Sequence, residues 1–431
     1  VMVDNVRKKD EVPTINTDWW NYGGITRDVL LVSTPKSHIE DYKIQLAKND
    51  ATKLEGFVKL SGNTGKEKLI IEIPELKIKT TIETDADGYA KIIIPAKDIA
   101  YWSPENPKLY DVKISSKSDR INDKIGFRTI KTVGKDILLN NQSLFLKGIS
   151  VHDENPLVGG RLRSEGDMRM ILGWAKQLGC NYIRLAHYTH NETMLRLADE
   201  IGLLVWAEVP VYWTISWSNA DTYKNAEDQL TVGIERDKNR ASVIIWSVGN
   251  ETPISKERNV FMGKLIDKVR SLDNTRLVAA ALEIERNGYD VTVEDPLGEK
   301  LDLASFNEYG GWYWSEPKEL PKYKWEIKFN KPVVISEFGA DALAGYHADE
   351  DTVWSEEHQQ LFYEKQLEML DKIDGLRGMT PWILVDFKSP RRQNPVYQNF
   401  WNRKGLISET GVKKKAFYTL QNYYQRKSLN K

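Results

Sequence analysis

The stretch Ala241-Ser-Val-Ile-Ile-Trp-Ser-Val-Gly-Asn-Glu251 is a run of mostly apolar, β-branched residues that ends on an acid. A short run of this composition predicts a strand that is buried on both faces. The carboxylate then stands at the carboxyl end of the strand, where parallel α/β folds keep their binding groups. Lys331-Pro-Val-Val-Ile-Ser-Glu337 repeats the pattern. We therefore expect both acids on one rim of one sheet or barrel.

Strand-like and helix-like patterns alternate from Gly134 to the end of the chain. The predicted strands cover residues 143–152, 181–185, 203–208, 241–248, 276–282, 301–306, 331–336 and 379–384. The predicted helices lie near 168–178, 194–201, 224–239, 254–272, 355–373 and 413–425. Ser164 and Asn191 precede the first two helices as N-caps, and Gly179 and Gly202 end them.

Eight strands alternating with helices predict a (β/α)8 TIM barrel for residues 134–431. A doubly wound open sheet would show the same alternation of strands and helices. However, no glycine-rich phosphate loop follows the first strand, which favours the barrel.

The residues before the barrel have the period-two pattern of β structure. From 35 to 133, alternating segments such as Tyr42–Leu46 are separated by turn sequences at 62–65 and 85–88, which predicts an antiparallel immunoglobulin-like sandwich. Residues 1–34 contain an aromatic cluster at 17–24 and a strand-like run at 28–33. We interpret residues 1–34 as a remnant of a jelly-roll β-domain, or as an arm lying on the next domain.

Composition limits the classes of partner. The 431 residues carry a net charge of −1, which gives no field strong enough to attract nucleic acid or an anionic membrane. No apolar run is long enough to predict a membrane-spanning helix. Cys180 is the one cysteine, so no intrachain disulfide can form, and the sequence does not decide between a bacterial cytoplasm and periplasm. The chain starts at Val1 without a signal pattern, so we expect a fragment or a processed product, monomeric or homo-oligomeric.

Polar or aromatic residues follow nearly every predicted barrel strand. They are His152, Arg184, His187, Glu208, Asn250, Glu251, Asn307, Tyr309, Tyr313, Glu337 and Trp382. Two carboxyl groups on one rim suggest glycoside hydrolysis, in which one protonates the leaving oxygen and the other attacks or stabilises the anomeric carbon. The plainer alternative is that each glutamate caps a helix, and a histidine at such a rim is as often structural as catalytic.

Three of these side chains could assist the two acids chemically. The Arg184 guanidinium would orient a neighbouring carboxylate and stabilise its anion, as a nucleophile requires. Asn250 can donate to a sugar 2-hydroxyl, and the Tyr309 phenol can restrain the nucleophile. A metal site is the competing interpretation, but no His-x-x-x-His or paired-cysteine spacing supports it. We therefore expect neither a metal nor a cofactor.

A basic loop follows the eighth predicted strand. Residues 388–393 and 400–405 supply lysines, arginines and amides to a site otherwise lined by acids and aromatic rings, which suits an anionic substrate. Asn402 and Lys404 would hold a carboxylate by one hydrogen bond and one charge-assisted bond. The alternative is a solvated basic loop without a ligand.

The motifs around the two acids resemble glycoside hydrolase family 2. The resemblance lies in Gly249-Asn-Glu251, Ser336-Glu-Phe-Gly-Ala340 and Phe145-Leu-Lys-Gly148, and it extends from about residue 18 to the C-terminus. Residues 21–27 resemble the end of that family's sugar-binding β-domain, whose earlier part is missing here.

The resemblance implies that Glu251 is the acid/base and Glu337 the nucleophile. The residues that it places against the sugar are Asp18, His152, Asn250, Tyr309, Tyr313 and Trp382.

Within the family, the chain most resembles the β-glucuronidases. Residues 337–347 resemble the stretch after their nucleophile, and Asn402-Arg-Lys404 matches their Asn-x-Lys motif, which implies binding of a uronate carboxylate. Gln398 replaces the arginine expected shortly before this motif, so we expect Arg391 or Arg392 to substitute for it.

The hypothesis from the sequence is a retaining exo-β-glycosidase that acts on terminal β-D-glucuronides. Its partner would be a small carbohydrate conjugate or an oligosaccharide. One alternative is a β-galactosidase of the same family, and another is a non-catalytic carbohydrate-binding protein.

Overall fold

The computed structural model describes residues 2–48, 50–62 and 65–429, in which a β-sandwich precedes a (β/α)8 barrel. The predicted turn at 62–65 includes Asn63 and Thr64, which lie outside the described residues, as does Val1.

The N-terminal segment is an arm on the barrel. Residues 2–37 form no helix or strand, so the strand predicted at Asp28–Ser33 is wrong. Residues 29–32 are exposed, because no strand in the described part of the chain pairs with them or covers their apolar side chains. Earlier in the arm, Trp19 is buried in an aromatic cluster at the barrel mouth, and the Val12 amide donates to Asn225 Oδ1 at 3.0 Å.

Seven antiparallel strands make the sandwich. They are β1 (His38–Ala47), β2 (Asp50–Ser61), β3 (Lys68–Ile73), β4 (Ile78–Glu83), β5 (Tyr89–Pro95), β6 (Tyr110–Ser115) and β7 (Arg120–Ile125), with a 3-10 helix at Pro74–Leu76. One sheet has the order β1-β2-β5 and the other β4-β3-β6-β7. In β5, Ala90, Ile92 and Ile94 face the shared core while the residues between them are exposed, which is the predicted period of two. The predicted sandwich is confirmed.

A small sheet covers the amino-terminal end of the barrel. Its strands β8 (Ile130–Val133), β9 (Asp136–Leu139) and β10 (Gln142–Ser143) are antiparallel in the order β10-β9-β8. Ile137 and Leu139 pack with Leu146 and Leu204, which begin barrel strands. This end is therefore filled by apolar side chains, and the opposite end carries the polar residues.

The remaining strands form the barrel and its additions. In chain order they are β11 (Leu146–Val151), β12 (Tyr182–Leu185), β13 (Leu204–Glu208), β14 (Val243–Asn250), β15 (Leu277–Ala281), β16 (Glu285–Asn287), β17 (Asp290–Val293), β18 (Ala304–Asn307), β19 (Lys324–Ile327), β20 (Val333–Glu337), β21 (Leu376–Met379), β22 (Phe387–Lys388) and β23 (Trp401–Asn402). The eight parallel barrel strands are β11–β15, β18, β20 and β21. The Leu282 amide donates to the Ser305 carbonyl at 2.8 Å across the gap between β15 and β18. The predicted barrel is confirmed.

The eighth barrel strand lies earlier than predicted. β21 ends at Met379, whereas the apolar pattern predicted a strand over 379–384. Pro381 has no amide hydrogen to donate to the sheet, so it interrupts the ladder, although its carbonyl still accepts from the Ser150 amide at 3.0 Å. The following residues, including Trp382, line the barrel mouth instead.

Six helices surround the barrel: α1 (Glu165–Gln177), α2 (Glu192–Ile201), α3 (Ala220–Asp237), α4 (Lys256–Leu272), α5 (Glu356–Leu370) and α6 (Lys415–Leu429), with 3-10 turns at Pro296–Lys300 and Pro317–Lys322. Ser164 and Asp167 form the capping box expected at the start of α1. Asn191 caps α2, and Gly202 ends it in the left-handed conformation at φ 76°. None of the described helices combines the length and the apolar character needed to cross a membrane.

Trp102 connects the sandwich to the barrel, and its removal should destabilise both. Its side chain is fully buried, and its indole Nε1 donates to the Asp199 carbonyl of α2 at 2.8 Å. We expect Trp102→Ala to lower the free energy of unfolding by about 3–5 kcal/mol, because a large cavity replaces the ring. Trp102→Phe should cost about 1–2 kcal/mol, since it keeps most of the packing and loses the hydrogen bond.

Urea unfolding followed by circular dichroism measures these changes. The half-exposed Trp20 provides the control, and Trp20→Ala should cost under about 1 kcal/mol. Equal unfolding midpoints for Trp102→Ala and Trp20→Ala would contradict the proposed role of Trp102.

Candidate active site

A cavity of about 290 Å³ opens at the carboxyl ends of the barrel strands. Its walls come from the arm, from barrel strand ends and from the loops that follow them. Glu251 and Glu337 both line it, as expected from two strands that each end on an acid. The cavity therefore brings together the two carboxyl groups that the sequence singled out.

Glu251 directly follows β14 and turns into the cavity. Its φ of 48° is left-handed, a conformation that is rare for a residue other than glycine and is concentrated at functional sites. Its Oε2 accepts hydrogen bonds from Trp213 Nε1 at 2.9 Å and from Asn250 Nδ2 at 3.3 Å. Burial, followed by the negative charge of Glu337, raises the pKa of Glu251 to about 7. A carboxyl group in this environment holds a proton near neutral pH.

Glu337, the last residue of β20, has a different environment. Its Oε1 accepts from Arg184 Nη1 at 2.7 Å, and its Oε2 accepts from the Tyr309 hydroxyl at 2.6 Å. Both oxygens are therefore engaged, one of them by a cation. These contacts suit an oriented carboxylate anion, as the sequence predicted for Arg184 and Tyr309.

Arg184 joins four barrel strands. Its side chain is fully buried on β12, and its Nη2 donates to Glu208 Oε1 at 3.0 Å on β13 and to Asn250 Oδ1 at 2.8 Å on β14. Its Nη1 reaches Glu337 on β20. Although burial alone favours the neutral acid, Arg184 and then His187 lower the pKa of Glu208 to about 2. Glu208 is thus a second buried anion that balances the guanidinium charge.

His152 and Trp382 pack together at one side of the site. The His152 ring lies 5.1 Å from the Trp382 ring, and Trp382 stacks on His187 at 4.8 Å. Burial, followed by the charge of His187, lowers the pKa of His152 well below 6.5. His152 is therefore neutral at physiological pH, and it lies behind the residues that line the cavity.

The basic loop forms the wall beyond Glu337. Lys404 Nζ donates to Asp341 Oδ2 at 2.9 Å and to the Tyr313 hydroxyl at 3.0 Å. Arg392 donates to the same hydroxyl at 3.2 Å and forms an ion pair with Asp18 of the arm. Although burial favours the neutral acid, Lys404 and Arg392 lower the pKa of Asp341. Both cations of this wall are thus paired with carboxylates.

The structure distinguishes the two arginines that the sequence offered as replacements near Gln398. Arg392 lines the cavity, whereas Arg391 hydrogen-bonds Asn16 and lies over the Trp213 ring at 4.9 Å. Gln398 is buried within its own loop, where its backbone amide donates to the Asn394 backbone carbonyl at 3.0 Å. Arg392 is therefore the arginine in position to meet a ligand.

The predicted site residues fall into two layers. Those that line the cavity are Asp18, Glu251, Tyr309, Tyr313, Glu337, Trp382 and Lys404. Those that lie behind it and contact the first set are His152, Arg184, Asn250 and Asn402. Asn402 is fully buried, and its Nδ2 donates to Asp18 Oδ2 at 3.4 Å.

Sequence reasoning missed three contacts of the site. Trp213 donates to Glu251 from the loop after β13, and no strand-end pattern marks that loop. Asp341 pairs with Lys404, and its position four residues after Glu337 was an available signal. Glu208 was noticed at a strand end, but its pairing with Arg184 depends on the distance between neighbouring strands.

Within residues 2–48, 50–62 and 65–429, no group of three or more His, Cys, Asp or Glu side chains is arranged to hold a metal ion.

Comparisons with known proteins place the chain in a family. The description "Glycosyl hydrolases family 2, TIM barrel domain" matches residues 130–428, and "Glycosyl hydrolases family 2" matches residues 37–128. A β-glucuronidase of Streptococcus agalactiae is 28% identical over 96% of this chain and 73% of its own length. A β-glucuronidase of Paenibacillus borealis is 26% identical over 93% of this chain and 69% of its own length. A putative β-glucuronidase of Formosa agariphila matches 99% of this chain and 56% of its own length.

Solved structures agree with these relatives. A family 2 β-galacturonidase from Eisenbergiella tayi bound to glycerol has a TM-score of 0.85 and is 26% identical, over 98% of this chain and 78% of its own. The galacturonate-bound form has a TM-score of 0.84 at the same identity and coverage. The chain belongs to family 2 of the glycosyl hydrolases and is most similar there to β-glucuronidases.

Proposed function

We propose that this protein is a retaining exo-β-glycosidase that hydrolyses terminal β-D-glucuronides. The observation that carries the proposal is the contrast between the two glutamates of the cavity. Glu251 has a pKa raised to about 7, while Glu337 accepts hydrogen bonds from Arg184 and Tyr309. A double displacement needs this division between a proton donor and an anionic nucleophile.

In the first step, Glu251 protonates the glycosidic oxygen while Glu337 Oε1 or Oε2 attacks the anomeric carbon. The bond to the leaving group breaks, and a covalent glycosyl ester forms on Glu337. In the second step, the Glu251 carboxylate takes a proton from water, which attacks the anomeric carbon and releases the sugar with its β-configuration retained. The rise in the Glu251 pKa caused by Glu337 disappears once Glu337 is esterified, so Glu251 loses its proton more readily and is present as the carboxylate that the second step requires.

The far wall of the cavity supports a uronic acid as the sugar. Lys404, Tyr313 and Arg392 present two cations and a hydroxyl to the cavity, a set that matches a carboxylate. The relatives named β-glucuronidase and the β-galacturonidase structure bound to galacturonate point to the same chemistry. The arm supports exo action. Asp18 accepts hydrogen bonds from Ser389 and Arg392 and so closes this side of the cavity to a sugar chain that would continue beyond the bound unit.

A neutral sugar is the second candidate, and one observation favours it. Asp341 and Asp18 already neutralise Lys404 and Arg392, so the wall carries little net charge. A β-galactoside would replace the charge-assisted contacts by hydrogen bonds to hydroxyl groups.

Replacing either glutamate should separate the two roles. Glu337→Gln should lower kcat on para-nitrophenyl β-glucuronide by at least about 10³-fold, because no covalent intermediate can form. Glu251→Gln should lower activity by about 10²–10⁴-fold on an alkyl glucuronide and less on the nitrophenyl substrate, whose leaving group needs little protonation. Azide should rescue Glu251→Ala and yield a β-glycosyl azide. A parent without measurable hydrolysis, and a Glu337→Ala variant that does not differ from it, would favour the non-catalytic binding protein instead.

Activity should fall as the pH rises above about 7. Glu251 must be protonated to act as the acid, and its pKa is raised from 4.5 to about 7, so the active form is present below that pH and is lost above it. We expect kcat/KM for an alkyl glucuronide to decrease about tenfold per pH unit on the basic side. The Glu251→Gln variant is the control, since it should lack this descending limb; a limb that persists would assign the titration to another group.

The sugar can be identified by pairing substrates with variants of the wall. Lys404→Ala should lower kcat/KM for a β-glucuronide by about 10²-fold and leave kcat/KM for a β-galactoside nearly unchanged. Because this change leaves Asp341 buried without its partner, the double variant Lys404→Ala/Asp341→Ala is measured beside it. Lys413→Ala is the matched control, because Lys413 is only partly buried and hydrogen-bonds Gln177 outside the cavity. If the parent is more active on the β-galactoside than on the β-glucuronide, the neutral sugar is the substrate and the uronide proposal is wrong. A β-galacturonide is assayed in parallel.

A further inference from the structure

We propose that the cavity contains a subsite for an anionic group on the leaving half of the substrate, formed by Arg286 lying on Trp314. The inference rests on the proposed function, since Glu251 must be the acid that faces the leaving group. Both residues line the same cavity as Glu251.

Arg286 lies on the Glu251 side of the cavity. It belongs to β16, which follows β15, and β15 is the direct neighbour of β14. The Glu251 amide donates to the Ala281 carbonyl at the end of β15 at 3.1 Å. Lys404 instead comes from the loop after β21, beyond Glu337. A substrate held with its sugar toward Lys404 therefore directs its leaving group toward Arg286.

The three cations that line the cavity differ in how their charges are balanced. Arg392 pairs with Asp18, and Lys404 pairs with Asp341 at 2.9 Å. Among the described residues, no carboxylate lies within 4 Å of the Arg286 guanidinium, and its N–H groups donate no hydrogen bond to another side chain or to the backbone. Arg286 is thus the lining cation whose charge and donors remain available to a ligand.

Trp314 holds this guanidinium in place. The guanidinium carbon lies 3.6 Å from the centre of the indole ring, which is stacking distance. A planar guanidinium on an aromatic face keeps its N–H groups pointing outward from its edges. The side chain is therefore ordered before a ligand arrives, which lowers the entropic cost of binding an anion.

Two other acids near this position, Glu308 and Glu283, form no ion pair with Arg286 within the part of the chain that the structure describes. Glu308 is fully buried beside Gly310, close to the Trp314 indole nitrogen, and burial raises its pKa to about 7 despite the attraction of Arg286. Glu283 lines the cavity, but the charges that act on it most are those of Asp295 and Arg258. Burial, followed by Asp295, raises the pKa of Glu283.

A carboxylate or a sulfate group fits the available donors, because either can accept two parallel N–H bonds from one guanidinium. The substrate class implied is an acidic oligosaccharide, in which the unit after the cleaved bond carries a second negative charge. This goes beyond the uronic acid proposed for the sugar at Lys404.

Three aryl β-glucuronides test the subsite. Their leaving groups are para-hydroxyphenylacetate, para-hydroxyphenylmethanesulfonate and para-hydroxyphenylacetamide, which have similar shapes and phenol acidities and differ in charge. We expect kcat/KM for one or both anionic substrates to exceed that for the amide by about fivefold to tenfold in low salt. Arg286→Gln should bring the ratio close to one, and Arg286→Lys should keep part of it.

Arg270→Gln is the matched control. Arg270 is a partly exposed arginine on α4 that pairs with Asp302 outside the cavity, so its loss should leave the ratio unchanged. A preference for the carboxylate alone or the sulfonate alone identifies the anion. An enzyme that hydrolyses the amide glucuronide without any anion preference, or a preference that survives Arg286→Gln, overturns the subsite and leaves the proposed function standing. Failure on all three glucuronides refutes the proposed sugar, and the same ratio is then measured with the three leaving groups on β-galactose.

Discussion

The site depends on the hydrogen bonds and ion pairs that the buried guanidinium of Arg184 makes. This guanidinium leaves β12, is fully removed from water, and contacts Glu208, Asn250 and Glu337 on three other barrel strands. Burying such a cation is costly unless anions and hydrogen-bond acceptors surround it, and removing one partner of a buried pair costs about 3–5 kcal/mol. The positions of the two catalytic candidates are therefore coupled through one side chain: Glu337 is bound directly, and Glu251 is reached through Asn250.

The same coupling explains how two residues of one type acquire different properties. Glu337 accepts a hydrogen bond from the Arg184 cation, whereas Glu251 accepts from neutral donors that include Trp213, Asn250 and Asn307, and it faces the charge of Glu337. Burial then raises the pKa of Glu251. The difference comes from which carboxyl group Arg184 can reach, a consequence of the strand order around the barrel. Trp213 and the left-handed backbone at Glu251 further hold this carboxyl group at the cavity wall.

Much of the fold could be predicted because its signals are local. The apolar runs that end on Glu251 and Glu337, the Ser164 and Asn191 caps, and the alternation in β5 each depend on neighbouring residues. Two predictions failed where local pattern was not enough. The apolar run at 28–33 forms no strand without a partner, and the last barrel strand stops before Pro381 despite the apolar residues that follow. Trp213 could not be assigned because its loop meets Glu251 only in space, and the position of Asp341 near Glu337 did not by itself indicate its pairing with Lys404.

The sequence by itself determined the alternation of strands and helices, and with it the rim on which Glu251, Glu337 and Lys404 had to appear. Hydrophobic periodicity and strand-end position are properties of the chain, so no distances were required. Only the tertiary structure decided which partners those side chains have. It placed Arg392 rather than Arg391 in the cavity, paired Lys404 with Asp341, and gave Arg286 no ion pair with any described carboxylate. Such pairings depend on separations of a few ångströms between residues far apart in the chain, because hydrogen bonds and buried ion pairs act only at that range.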